Sequence, residues 1–246
     1  MKRIMLTTVA LAALGVATSA SAADLAPRPY TKAPPVVVAV YDWTGFYIGA
    51  NGGWGSGRKC WDFRSPLTGT LVSEGCHDAD GGVAGGQIGY NWQAGAWVFG
   101  LEAQGDWADL RGSNISTLFP GATNRSRIDS FGLFTGRVGY AWNNSMLYVK
   151  GGAAVTHDKY DYRATGAVDP FSTASETRWG GTVGVGVEYG FTPNWSFAIE
   201  YDHLFMGSRD LAFAAPSTAV DRIRQDVDLV TARINYRWGG PVVARY

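Results

Sequence analysis

The stretch Asn194-Trp195-Ser196-Phe197-Ala198-Ile199-Glu200-Tyr201-Asp202 decides how this chain must fold. Trp195, Phe197, Ile199 and Tyr201 share one parity, while Ser196, Ala198, Glu200 and Asp202 share the other. Successive side chains of a strand point to opposite faces, so this period of two reads as a ribbon with one greasy and one polar side. Thr192 to Asn194, just before it, has the composition of a tight turn.

Working outward, the same pattern recurs along the chain. Phe46, Ile48, Ala50 and Trp54 oppose Tyr47, Gly49, Asn51 and Gly53; Ala84, Ile88, Tyr90 and Trp92 oppose Gln87, Gly89 and Asn91. Phe99, Leu101, Ala103 and Trp107 oppose Gly100, Glu102, Gln104 and Asp106; Phe134, Val138 and Tyr140 oppose Thr135, Arg137 and Gly139. Leu147, Val149, Ala153 and Val155 oppose Tyr148, Lys150, Gly152 and Thr156, and Val183, Val185, Val187 and Tyr189 oppose Thr182, Gly184, Gly186 and Glu188. Finally Val230, Ala232, Ile234, Tyr236 and Trp238 oppose Thr231, Arg233, Asn235 and Arg237. Short turns are expected at 93–96, 143–144 and 192–194, and long loops near 55–80, 110–127, 158–177 and 208–225. Three short and four long connections fit eight antiparallel strands, each long enough to cross a bilayer with tilt. The expected fold is an all-β, eight-stranded antiparallel transmembrane β-barrel.

The sense of the polarity separates this barrel from a soluble one. Glu102, Asp106, Arg137, Lys150, Glu188, Glu200, Asp202, Arg233 and Arg237 all lie on the glycine-rich parity. A narrow eight-stranded ring has room inside only for filling side chains, so the aromatic parity must face outward, into lipid. A basic residue turned to lipid at the midplane costs about 2–4 kcal/mol, and a one-residue slip would turn every one of them out. Trp92, Trp97, Trp142, Phe191, Trp195 and Trp238 flank the short turns, and Trp54, Trp107, Trp179 and Phe205 mark the other edge, as two interfacial belts would. The inward charges are expected to pair as Glu102–Arg137, Lys150–Glu188 and Glu200–Arg233, closing the lumen; a gated ion path is the functional alternative.

Lys2 and Arg3, the apolar run Ile4–Ala17 and Ala20-Ser21-Ala22 form a secretory signal. The expected organisation is a signal peptide over 1–22, a Pro-rich periplasmic linker over 23–41 and a barrel over 42–246, with cleavage after Ala22 or Ala23. Cys60 and Cys76, the only cysteines, should pair in an oxidising compartment; a metal site with His77 and Asp78 is the alternative, though the spacing does not supply four ligands. A formal net charge of zero gives no basic face for nucleic acid.

Tyr41-Asp42-Trp43-Thr44-Gly45-Phe46-Tyr47-Ile48-Gly49, Gly85-Gly86-Gln87-Ile88-Gly89-Tyr90-Asn91-Trp92, Gly136-Arg137-Val138-Gly139-Tyr140, Gly184-Val185-Gly186-Val187-Glu188-Tyr189 and the Asn194–Tyr201 run together resemble the small outer-membrane β-barrel proteins of alphaproteobacteria. That family includes surface antigens and hemin-binding members and shares the OmpA-type transmembrane barrel. The resemblance implies a cell outer membrane location, lipid and lipopolysaccharide as surroundings, contact with the outer-membrane assembly machinery, and a role in envelope integrity and surface interactions. Related barrels end on an aromatic; here Trp238 and Tyr246 both qualify. No cofactor is expected. A surface receptor binding hemin or a small solute, or a narrow porin, is the alternative, with His77, His157, His203, Tyr160 or Tyr162 as iron ligands for hemin. An enzyme on the rim would need a His beside a nucleophile or carboxylate, and Asp202 and His203 fall on opposite faces.

Overall fold

The computed structural model describes residues 41–238 apart from 66–67, 168 and 213–219, and leaves aside the side chains of Tyr162 and Phe171. The signal peptide, all of the linker but Tyr41, and Tyr246 lie outside the described residues. Eight strands follow in order: β1 Gly45–Arg64, β2 Leu71–Ala94, β3 Trp97–Ile115, β4 Ala122–Trp142, β5 Ser145–Ala164, β6 Pro170–Gly190, β7 Trp195–Ala212 and β8 Val220–Trp238. Each is antiparallel to the next, and β1 pairs with β8 from Phe46↔Trp238 to Arg64↔Val220, so the sheet closes into a barrel. Closure leaves no strand edge unpaired toward lipid, where an unsatisfied backbone group costs several kcal/mol.

The short connections fall where the sequence places them. In two of them a residue takes a positive φ, Gly95 at 63° and Asn143 at 50°, the left-handed geometry that tight hairpins require. The long loops expected on the other side are a different matter. Strands of 18 to 24 residues run through most of those segments, and the β1–β2, β3–β4 and β5–β6 links shrink to short tips at 65–70, 116–121 and 165–169.

The reason is a reversal of polarity along each strand. Between the two aromatic rows, the outward side chains are Phe46, Ile48, Leu101, Val149, Val185 and Ile199, all exposed. The separation of those rows matches the roughly 9–11 residues of a tilted membrane strand. Beyond Trp54, Trp107 and Trp179 the outward positions become Arg58, Asp78, Asp80, Arg111, Arg127, Lys159 and Asp161, while the interior takes up Leu110, Ile128, Phe131, Leu133, Leu204, Met206, Val227 and Leu229 as a packed apolar cluster. The upper barrel is thus built like a soluble one, apolar inside and charged outside. Register shifts at Trp107/Leu110, Ile128/Ser130 and Phe205/Gly207 sit near this transition, and bulges of that kind bend and twist strands at barrel rims.

Cys60 and Cys76 are therefore not loop residues. They are direct cross-strand partners on β1 and β2, joined by a disulfide. His77 is buried inside while Asp78 is exposed outside, so no shared ligand set forms with the sulfurs. Replacing both cysteines by serine should cost about 2–3 kcal/mol through the freed chain entropy of the denatured hairpin. Urea unfolding of the barrel in detergent, scored by the gel shift between folded and boiled protein, measures it.

Candidate functional site

The lumen is filled by side chains in stacked layers. At the short-turn mouth, Tyr41 and Trp43 fold into the barrel beside Val98, Met146 and Tyr148. The Arg237 guanidinium lies over both rings, 4.5 Å from the Tyr41 centroid and 5.4 Å from that of Trp43, a stacking that neutralises little charge but covers it with polarizable surface. Tyr41 packs as part of the barrel mouth, although it was expected to belong to the linker.

The next layer holds the charged residues of the alternating strands. Arg233 on β8 donates to Glu200 on β7 and forms an ion pair at 2.7 Å with Glu102 on β3 across the lumen. Lys150 on β5 lies 2.7 Å from Glu200, 3.2 Å from Asp202 and 3.7 Å from Glu102. Tyr47 donates its hydroxyl to Glu102 at 2.7 Å and Tyr148 to Glu200 at 2.6 Å. Below them Arg137 reaches Asn91 at 2.9 Å and Glu188 at 3.3 Å, between the rings of Tyr47 and Tyr148. Ser196 and Asn235 donate to the other Glu188 oxygen, and Gln104 donates to Asp106 at 2.8 Å. All of these charged side chains are buried.

Two of the three expected pairs take other partners. Glu102 meets Arg233 instead of Arg137, and Lys150 meets Glu200 instead of Glu188. The cause is visible in the register: Arg137 and Lys150 are direct cross-strand partners. Two like charges opposite one another must diverge, so Arg137 leans toward the turn side and Lys150 toward the acids above. Glu200–Arg233, on neighbouring β7 and β8, contact each other directly. In so narrow a ring the long side chains also reach past the adjacent strand, which a strand-by-strand reading does not anticipate. Glycine makes the space: at Gly186 and Gly89 an added Cβ would collide with the rings of Tyr148 and Tyr47.

Above the apolar cluster lies a second polar layer that the sequence reading missed. Lys59 and Asp158 form a fully buried ion pair at 2.8 Å, and Lys59 and Arg178 stand over the Tyr160 ring. Trp61 packs edge-on against Tyr160 at 5.7 Å. The alternation of Lys59-Cys60-Trp61 and Asp158-Lys159-Tyr160 carried the signal, but both segments lay where loops were expected. Higher still, Asp221 is buried with neither oxygen hydrogen-bonded among the described residues. Burial, and then the charge of Glu74, push its pKa up to about 7.

The residues considered for iron are not brought together. His77 is held inside the upper barrel by Asn114 at 2.8 Å and Ser126 at 3.1 Å, so both ring nitrogens are committed, and burial pushes its pKa down. His157 faces outward on Thr177 at 3.3 Å. His203, on the outer wall, pairs with Asp228 at 2.7 Å, which also accepts the Tyr201 hydroxyl at 2.6 Å. Tyr160 is enclosed beneath Lys59 and Arg178, and the Tyr162 side chain lies outside the described residues. Among the described residues no cluster of His, Cys, Asp and Glu has metal-binding proximity.

A closed antiparallel ring, greasy and aromatic outside and ionic within over the height of a bilayer, defines an integral β-barrel of the outer membrane. The chain belongs to the family described as outer membrane protein beta-barrel domain, whose family model matches residues 8–236. It is 31% identical over 97% of its length to the whole of the 31 kDa outer-membrane immunogenic protein of Brucella melitensis. To the 22 kDa outer membrane protein of Rhizobium leguminosarum bv. viciae it is 34% identical, over 68% of this chain and 66% of that one. Among solved structures it is similar to the outer membrane protein OprG of Pseudomonas aeruginosa, with 12% identity, a TM-score of 0.47, and coverage of 82% of this chain and 100% of that one.

Two expectations follow from these layers. Arg233→Ala leaves Glu102 and Glu200 with Lys150 as their one remaining shared cation and should lower unfolding free energy by about 3 kcal/mol, read from urea titrations of the folded fraction. Asp221→Asn acts through pH. The unfolded Asp carboxyl titrates near 3.9, so the native barrel loses stability as pH rises from about 4 through the folded value near 7. The asparagine variant should match the parent below pH 4 and exceed it at pH 8, by on the order of 4 kcal/mol.

Proposed function

We propose that this protein is a structural barrel whose lumen stays plugged, and that it works through its outer surface and extracellular hairpins. The observation that carries this reading is the fate of the inward charges: Glu102, Asp106, Arg137, Lys150, Glu188, Glu200, Asp202, Arg233 and Arg237 are all buried and none is more than 6% exposed. An open pore would leave such groups lining water. Here Arg137, Lys150 and Arg233 lie in ion-pair contact with Glu102, Glu188, Glu200 and Asp202, and an apolar cluster and a second ion pair lie over them. The charge network acts as filling that fixes register and stiffens the ring; a conducting path would need several layers to move together.

On this reading the protein is not an enzyme. His203 has its carboxylate, Asp228, but the pair sits on the outer wall and no serine, threonine or cysteine is bonded to it among the described residues. The immunogenic character named for the Brucella relative supports a surface role for the hairpin tips. Trp238, paired with Phe46 and turned outward at the end of β8, suits the terminal aromatic that assembly machinery would read.

Planar-bilayer recording of the refolded protein tests the plug. Background conductance is expected, with only rare brief openings; large stable openings that Arg137→Ala widens or abolishes would refute it. The hemin alternative has its own test. Absorbance titration should show no Soret shift at micromolar hemin, and a saturable shift lost in His77→Ala would restore the receptor reading.

A further inference from the structure

The outer wall carries one feature that the plugged lumen does not explain. On β4 and β5, just above the outer aromatic row, a cleft of about 170 Å³ is lined by Arg125, Ser126, Arg127, Lys159, Asp161 and Arg163. Arg127 and Lys159 are direct cross-strand partners, and like charges set opposite one another are destabilising without a counter-ion. Asp129 sits between them, 2.6 Å from each, with Asp109 3.2 Å from Arg127 and 2.6 Å from Arg111. Asp161 is held by Arg163 at 3.0 Å. Arg125 pairs with no carboxylate among the described residues. Counting Arg111, Arg125, Arg127, Lys159 and Arg163 against Asp80, the cross-strand partner of Arg111, and Asp109, Asp129 and Asp161, the wall keeps a surplus of one positive charge.

Height and side identify what that surplus faces. Val155 pairs with Trp179 of the aromatic row, and along β5 Lys159 lies four residues further and Asp161, the cross-strand partner of Arg125, six, roughly 13 and 20 Å along a strand at ~3.3 Å per residue and less along the tilted barrel axis. The rung of Arg127 and Lys159 is the one nearest the headgroups, whose layer flanks a ~30 Å hydrocarbon core, and the rung of Arg125 stands just above it. The wall of β1, β2 and β8 is mixed at comparable height, with Asp78, Asp226 and Asp228 facing outward beside Arg58 and Arg224. A general attraction to the membrane surface would ring the barrel with cations. This surplus is local.

We propose that the β4–β5 cleft binds a phosphate group carried by a lipid of the outer leaflet. Arg125 supplies a planar donor fork, which suits phosphate geometry, while Arg127 and Lys159 supply charge from the neighbouring rung. The proposal rests on the membrane placement given above, with the hairpin tips outward.

The test uses the full mature protein folded into nanodiscs of neutral phosphatidylcholine doped with bisphosphorylated lipid A, or with the same lipid after phosphate removal. Native mass spectrometry counts the lipid A retained per barrel. The parent should retain the phosphorylated form about tenfold better, since each juxtamembrane cation contributes appreciably to anionic lipid binding. The exposed double change Arg125→Gln with Lys159→Gln should erase that preference, while Arg58→Gln with Arg224→Gln on the wall of β1 and β8 should keep it. Equal retention of the two lipids by the parent, or full preference in the Arg125/Lys159 variant, overturns the site. Displacement of the lipid by millimolar inorganic phosphate assigns the cleft to free anions and overturns the lipid source. Gel-shift folding is read in every sample: a parent that does not insert at all refutes the membrane placement, whereas an inserted barrel without preference refutes the cleft alone.

Discussion

Hydrocarbon offers the peptide backbone no hydrogen-bond partner, and the pairing of β1 with β8 answers that constraint. Once the ring must close with eight strands, its interior is only wide enough for filling side chains and too narrow for two facing rows of large ones. Glycine on one strand therefore faces Tyr47 or Tyr148 on another. The charges follow from the same geometry. Placed outward they would meet lipid, and placed inward they meet one another, so Arg233, Lys150 and Arg137 thread between four carboxylates instead of each choosing one.

A buried ion network of this kind is weak evidence for net stability, because desolvation offsets much of its Coulombic gain. Its value lies in specificity. A one-residue slip of register would separate Glu102 from Arg233 and at the same time turn charges toward acyl chains, so that alternative is penalised twice. The apolar cluster above it contributes ordinary burial, and the lower and upper halves of the barrel thus rely on different forces. The transition between them falls at the aromatic row, where the medium outside changes from lipid to water.

That change of medium explains which expectations failed. The alternation between Phe46 and Trp54 was legible because lipid demands a greasy outer face. Past Trp54 the outer face turns polar and the inner face admits Leu229, Val227 and Ile223, and a reader tuned to the lipid pattern sees only loss of signal. Residues 55–64, 110–115 and 158–164 then look like loops although they are continuous strand. Lys59 and Asp158 were hidden by the same error, since neither could be assigned an inward direction without the strand.

Strand number, the lipid-facing parity, the inward set of charges and the short turns were determined by the sequence itself, because each depends on local alternation and on turn composition. Partner choice inside the lumen was not. It depends on shear, tilt and the reach of long side chains across a ring, which bring β3 to β8 and β5 to β7. The cross-strand opposition of Arg137 with Lys150, and of Arg127 with Lys159, emerges only from register. Tertiary structure decided these contacts because distance across a closed barrel is not a function of separation along the chain.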